Sequence, residues 1–187
     1  MANWAGFPTD SIQGLVGAMG AMQVNMEGLD VVVADDNEQM RAYHRSVLEM
    51  VGAARIREAR DGTEAFLAIC GELPDLLITD YGMAPKDGIE LTRAVRDESR
   101  SPNPYLPVIM VTAYTDNERI SLARDAGVNC LLHKPVSPLE LSSSIAEAID
   151  DPQPFIRTRA YFGPDRRSRG AVPVRCERRA PAAGAAQ

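Results

Sequence analysis

From about Leu29 the chain alternates between two hydrophobic patterns. Runs such as "LDVVVA" (29–34), "PDLLIT" (74–79), "LPVIMVT" (106–112) and "VNCLLH" (128–133) read as strands, and "ARIREA" (54–59) fits the same rhythm. Between them, 37–52, 62–72, 87–99, 117–127 and 138–150 carry apolar residues at helical spacing. Strict strand–helix alternation predicts parallel strands joined by right-handed crossovers. The apolar runs lack a polar face, as expected where helices cover both sides of a sheet. The expected fold is a flavodoxin-like, three-layer α/β domain over 29–151.

The flanks read differently. Residues 1–28 hold Ile12, Leu15, Val16, Met19 and Met22 at helical spacing, weakened by Gly14, Gly17 and Gly20. A short helix is expected there. Residues 152–187 are rich in Arg, Pro, Gly and Ala, a composition with little to bury, and read as a flexible tail.

Charge sharpens this division. The net charge of −6 splits into a balance of −12 over 1–154 and +6 over 155–187. The tail arginines singled out are Arg157, Arg159, Arg166, Arg167 and Arg169, interleaved with Tyr161 and Phe162. Such a mixture can follow a nucleic-acid backbone and stack on bases. No DNA-reading module fits so short a segment, so docking on protein or on the acidic domain ranks above nucleic acid. Cys70, Cys130 and Cys176 have neither metal spacing nor an even disulfide framework, which suits a reducing compartment. No apolar run approaches the roughly 20 residues of a membrane helix, and Arg41 is the first basic residue. The expected location is cytoplasmic.

Candidate chemistry gathers at one edge. In an open parallel sheet, ligands bind beyond the carboxyl ends of the strands. There the first strand delivers Asp35 and Asp36, the third Asp80, the fourth Thr112 and the fifth Lys134. Three acids together would raise one another's pKa values unless a cation neutralised them. A hard divalent ion fits, since Mg²⁺ needs only one or two carboxylates plus waters. Asp80 is central and can act as a nucleophile. A phosphoryl group arriving there needs its oxygens neutralised, and Thr112 and Lys134 can supply a hydroxyl and an ammonium. Taken singly, Asp35-Asp36 could cap a helix, Asp80 could begin a turn and Lys134 could be a surface charge.

The motifs "VVVADDN", "LLITDYGMAPKDG", "VIMVTAY" and "CLLHKPVSP" resemble the receiver domain of two-component response regulators over residues 29–150. The resemblance implies strand order 2-1-3-4-5 and phosphorylation of Asp80 by a histidine kinase or phosphotransfer protein. It also implies autodephosphorylation and Mg²⁺ (or Mn²⁺) held by Asp35, Asp36, Asp80 and the Gly82 carbonyl. Thr112 and Lys134 would contact the phosphate, with a cis peptide at Lys134-Pro135 and Gly88 turning the chain into the third helix. Output would pass through protein binding or homodimerisation on the face of the fourth helix, fifth strand and fifth helix. Three positions bear on switching and access: Ala113, Tyr114 two beyond Thr112, and Leu131 where the family carries an aromatic ring. His133 is expected to pack in the layer opposite Lys134, His44 to lie on the surface, and Cys70 and Cys130 to be core hydrophobes.

Two other classes compete with a single-domain response regulator. An aspartate-nucleophile phosphatase needs a second Asp two residues after the first, where Gly82 stands. A nucleic-acid-binding regulator would use the arginine tail as its output.

Overall fold

The computed structural model of the protein describes residues 28–158, 161–165 and 174–175. The elements are β1 (Asp30–Ala34), α1 (Glu38–Met50), β2 (Arg55–Ala59), α2 (Gly62–Gly71), β3 (Leu76–Asp80), α3 (Gly88–Arg96), β4 (Val108–Thr112), α4 (Asn117–Ala126), β5 (Cys130–His133) and α5 (Pro138–Asp150). Their strands are parallel in the order β2-β1-β3-β4-β5. The strand order implied by the sequence is therefore the observed one.

Alternation along the strands divides the core into two files. Val32, Leu77, Met110 and Leu131 pack with Ile69, Val95 and Ala123 of α2, α3 and α4. Val31, Val33, Ile78, Val111 and Leu132 pack with Leu48, Leu141 and Ile145 of α1 and α5. Each helix begins on a side-chain cap, and Asp87 and Ser137 form reciprocal boxes with Glu90 and Glu140. The cap of α1 is Asn37, whose side chain accepts from the Gln39 and Met40 N–H groups. The Asp35-Asp36 pair is thus left out of the cap.

The C-terminal segment departs from the expectation of a tail with little to bury. Strands β6 (Phe155–Arg157) and β7 (Phe162–Pro164) pair antiparallel. Phe155, Phe162 and Tyr105 form a three-ring cluster with centroids 5.1–5.6 Å apart. Gly163 is buried so close to Gly127 that a Cβ would lie 3.1 Å from the Gly127 Cα. Two further residues, β8 (Val174–Arg175), add in parallel to the free edge of β5. Three-residue strands are too short for an alternation signal, which is why the pattern did not reveal them. Cys70 is also exposed rather than in the core. The buried stripe of α2 runs through Gly62, Ala65 and Ile69, and Cys70 falls beside it.

The expected helix within residues 1–28 lies outside the described residues apart from Gly28, as do Arg159, Arg166, Arg167, Arg169 and Cys176.

Candidate functional site

Strand alternation decides which rim residues meet. Asp35, Asp80 and Lys134 continue the file that faces α1 and α5, whereas Thr112 and His133 continue the opposite file. The first three converge. Lys134 Nζ lies 2.5 Å from Asp80 Oδ1 and 3.0 Å from Asp35 Oδ2. Asp35 is buried, and its Oδ1 accepts the Asn37 N–H at 2.8 Å. The buried Arg41 donates from Nη1 to the Asp35 carbonyl at 2.8 Å, fixing the chain where it leaves β1. Asp80 Oδ2 accepts the Gly82 N–H at 2.6 Å.

The electrostatics follow from this packing. Burial pushes the Asp35 carboxyl above its ordinary range, and the Asn37 N–H and the Lys134 ammonium offset that only in part. Burial alone would lower the Lys134 pKa. Hydrogen bonds and charge from Asp80 and Asp35 outweigh it, and the pKa is raised. The nest therefore sets two acidic side chains around one firmly protonated amine.

Around this trio the other rim residues take distinct places. Thr112 is buried, and its hydroxyl oxygen accepts the Tyr114 N–H at 3.0 Å. Asp36 and Ala113 are exposed. Tyr114 is 39% exposed, and its ring meets Tyr81 edge-on at 5.3 Å under the Arg119 guanidinium at 3.7 Å. A Cβ built on Gly82 would lie 3.8 Å from the Tyr114 ring, so that ring overhangs the loop after Asp80. Leu131 is buried in the α2–α4 layer and lines no part of the rim. The peptides Lys134–Pro135 and Ala84–Pro85 are cis. Gly88 owes its identity to a close approach, because a Cβ there would collide with the Asp80 carbonyl oxygen. Arg157 pairs with Glu98 and lies over the Phe162 ring at 5.1 Å.

Pattern reading missed one residue near this trio. His44 was expected on the surface, yet it is 1% exposed and neither ring nitrogen has a partner. Burial first, and then the positive charge of Lys134, lower its pKa to about 4. The signal was present: His44 shares the buried face of α1 with Arg41, Val47 and Leu48, at spacings of three and four.

The donor set suits a hard cation. It offers carboxyl and carbonyl oxygen, and Asp35 and Asp80 already hold the Lys134 ammonium. Among the described residues no three acidic, His or Cys side chains close into a metal cluster. Mg²⁺ does not require one, since one or two carboxylates and several waters commonly suffice.

Residues 31–146 match the model of the response regulator receiver domain. The chain belongs to that family. Its receiver domain is 34% identical over 122 residues to the chemotaxis protein CheY of Pseudomonas aeruginosa, covering 65% of this chain and 97% of that one. It is 32% identical over 122 residues to a Campylobacter jejuni chemotaxis protein CheY homolog, covering 65% and 92%. Among solved structures, it matches a putative response regulator from Chloroflexus aurantiacus at 30% identity and TM-score 0.62, covering 66% and 99%. Chemotaxis protein CheY4 of Vibrio cholerae matches at 27% identity and TM-score 0.58, covering 63% and 96%. A receiver domain is the part of a response regulator that belongs to two-component signalling. Among the described residues, no helix is long and apolar enough to cross a membrane.

Proposed function

We propose that the protein is a single-domain response regulator that accepts a phosphoryl group on Asp80 and signals by phosphorylation-dependent protein binding. The observation that carries this reading is the convergence of Asp80 and Asp35 on Lys134 at the carboxyl edge of the sheet. Asp80 is anchored by the Gly82 N–H and held against the Lys134 ammonium, so its carboxyl oxygens are oriented for attack. A carboxylate oxygen of Asp80 attacks the phosphorus of a phosphohistidine on a histidine kinase or phosphotransfer protein. The O–P bond forms as the P–N bond breaks, and the electron pair stays with the departing imidazole.

Lys134 then has a phosphoryl oxygen to pair with beside the Asp80 carboxyl, and Thr112 offers a hydroxyl from the opposite file. Asp35, Asp36, Asp80 and the Gly82 carbonyl would hold Mg²⁺ or Mn²⁺. The ion, when bound, neutralises charge on the phosphoryl oxygens. Return to the unmodified state is hydrolysis of the acyl phosphate by water. Beside Lys134, an apolar hollow lined by Met40, Tyr43, Pro135, Val136 and Pro138 offers a landing for the donor's apolar side chains.

Phosphorylation acts by population shift, so the downstream partner must prefer one conformer. Phe162 packs against Tyr105 and Phe155 rather than standing free to stack on a base, which favours a protein target over nucleic acid. The test is incubation with Mg²⁺ and acetyl phosphate or a labelled histidine kinase. Wild type takes up label, and Asp80→Asn takes up none. Label retained by the substituted protein would place the acceptor elsewhere.

A further inference from the structure

β5 is the last strand of the five-stranded receiver order, and all four of its side chains are buried. An outermost strand of that kind offers a row of unpaired N–H and C=O groups to any extended chain. Here the row meets the protein's own C-terminal segment. Val174 stands opposite Leu131 and Arg175 opposite Leu132, in parallel register.

Two further observations tie the segment to this edge. The β6–β7 hairpin is anchored where β4 and β5 begin, with Gly163 against Gly127 and Phe155 beneath Arg96. From Asp165 to Val174 the chain spans at most about 30 Å when extended, which brings it within reach of the edge from that anchor. Charge also matches. α5, which flanks β5, carries Glu140, Glu147 and Asp150 and no basic residue. Residues 166–179 carry six arginines and the single acid Glu177.

We propose that the strand Val174–Arg175 of this same chain is the resident occupant of the β5 edge. A strand-adding partner, or a second copy approaching the α4–β5–α5 face, then meets that edge only after the segment is displaced. The segment thereby acts as an intramolecular competitor on an interaction surface, independently of the chemistry at Asp80.

The test is hydrogen exchange by mass spectrometry on the full chain, comparing wild type with a variant carrying Val174→Pro and Arg175→Pro. Proline supplies no N–H for pairing. Peptides covering 128–134 should exchange about tenfold faster in the variant, while those from β1 and β3 stay unchanged, separating local release from global opening. A synthetic peptide of residues 170–180, added to the variant, should restore protection, and less well as salt rises. Identical exchange of 128–134 in the two proteins would overturn the proposal. So would wild-type protection that grows with protein concentration, because the occupant would then be a second copy.

Discussion

His44, which feels the charges of Lys134 and Asp80, has both nitrogens buried and unpaired, so its neutral form is built into the fold. Its folded pKa of about 4 lies below the ordinary 6.5. Between those values the unfolded chain binds a proton that the folded chain refuses, so stability falls as pH drops through that window. Linkage puts the loss at roughly 2 kcal/mol between pH 7 and pH 5. His44→Leu should remove most of that slope in urea melts at the two pH values, and an unchanged slope would show that the imidazole accepts its proton without penalty. Tyr114 makes a second prediction at this scale. Its ring, clasped by Tyr81 and Arg119, overhangs Gly82, a position from which it would shield a phosphorylated Asp80 from water under the proposed function. Tyr114→Ala should speed loss of the phosphoryl group roughly 2- to 10-fold, a barrier change of up to about 1.4 kcal/mol. Phosphate release as slow as wild type, or slower, would remove the shielding role.

At the scale of elements, the turn from β3 into α3 is set by one close approach. Gly88 donates its N–H to the Tyr81 carbonyl at 3.1 Å, and its missing Cβ leaves room for the Asp80 carbonyl. Gly88→Ala must push β3 and α3 apart, which should destabilise the domain by on the order of 2–3 kcal/mol and displace Asp80. Gly71, at the end of α2, has nothing within 4 Å of a built Cβ. Gly71→Ala should be neutral or stabilising by up to about 1 kcal/mol, because alanine is the better helix former. Equal unfolding midpoints for the two variants would refute the close-approach argument. The five strands and five helices were legible because each long element repeats one period, and α5 falls over 138–150 as read. The convergence of Asp35, Asp80 and Lys134 was legible as chemistry on one rim. That Lys134 pairs with both acids, while Asp36 stands in solvent, depends on side-chain packing that no spacing encodes. His44 and Cys70 depart from what residue type alone suggests, because position on the helix face decides their burial.

At the scale of the whole molecule, the C-terminal hairpin completes the packing around a buried arginine. Arg96 donates to the carbonyls of Gly127, Pro104 and Leu106 and to Asn129 Oδ1, at 2.7–3.0 Å. Burial lowers its pKa to about 9, so it stays protonated at neutral pH while all four acceptors are uncharged. The Phe155 ring, 5.0 Å from the guanidinium, presents a negative π-face to that cation, and Tyr105 and Phe162 hold the ring in place. Composition could not show this, because the partners are Arg96 and two phenylalanines in a stretch that otherwise reads as linker. Phe155→Ala removes both apolar area and π-face, whereas Phe155→Leu keeps most of the area. We expect losses of about 2–3 kcal/mol for the alanine and about 1 kcal/mol for the leucine in urea melts of the full chain. If alanine and wild type unfold together, the hairpin is not docked in solution. If leucine matches wild type while alanine does not, burial alone holds the hairpin and the charge on Arg96 is stabilised entirely by its carbonyl and amide acceptors.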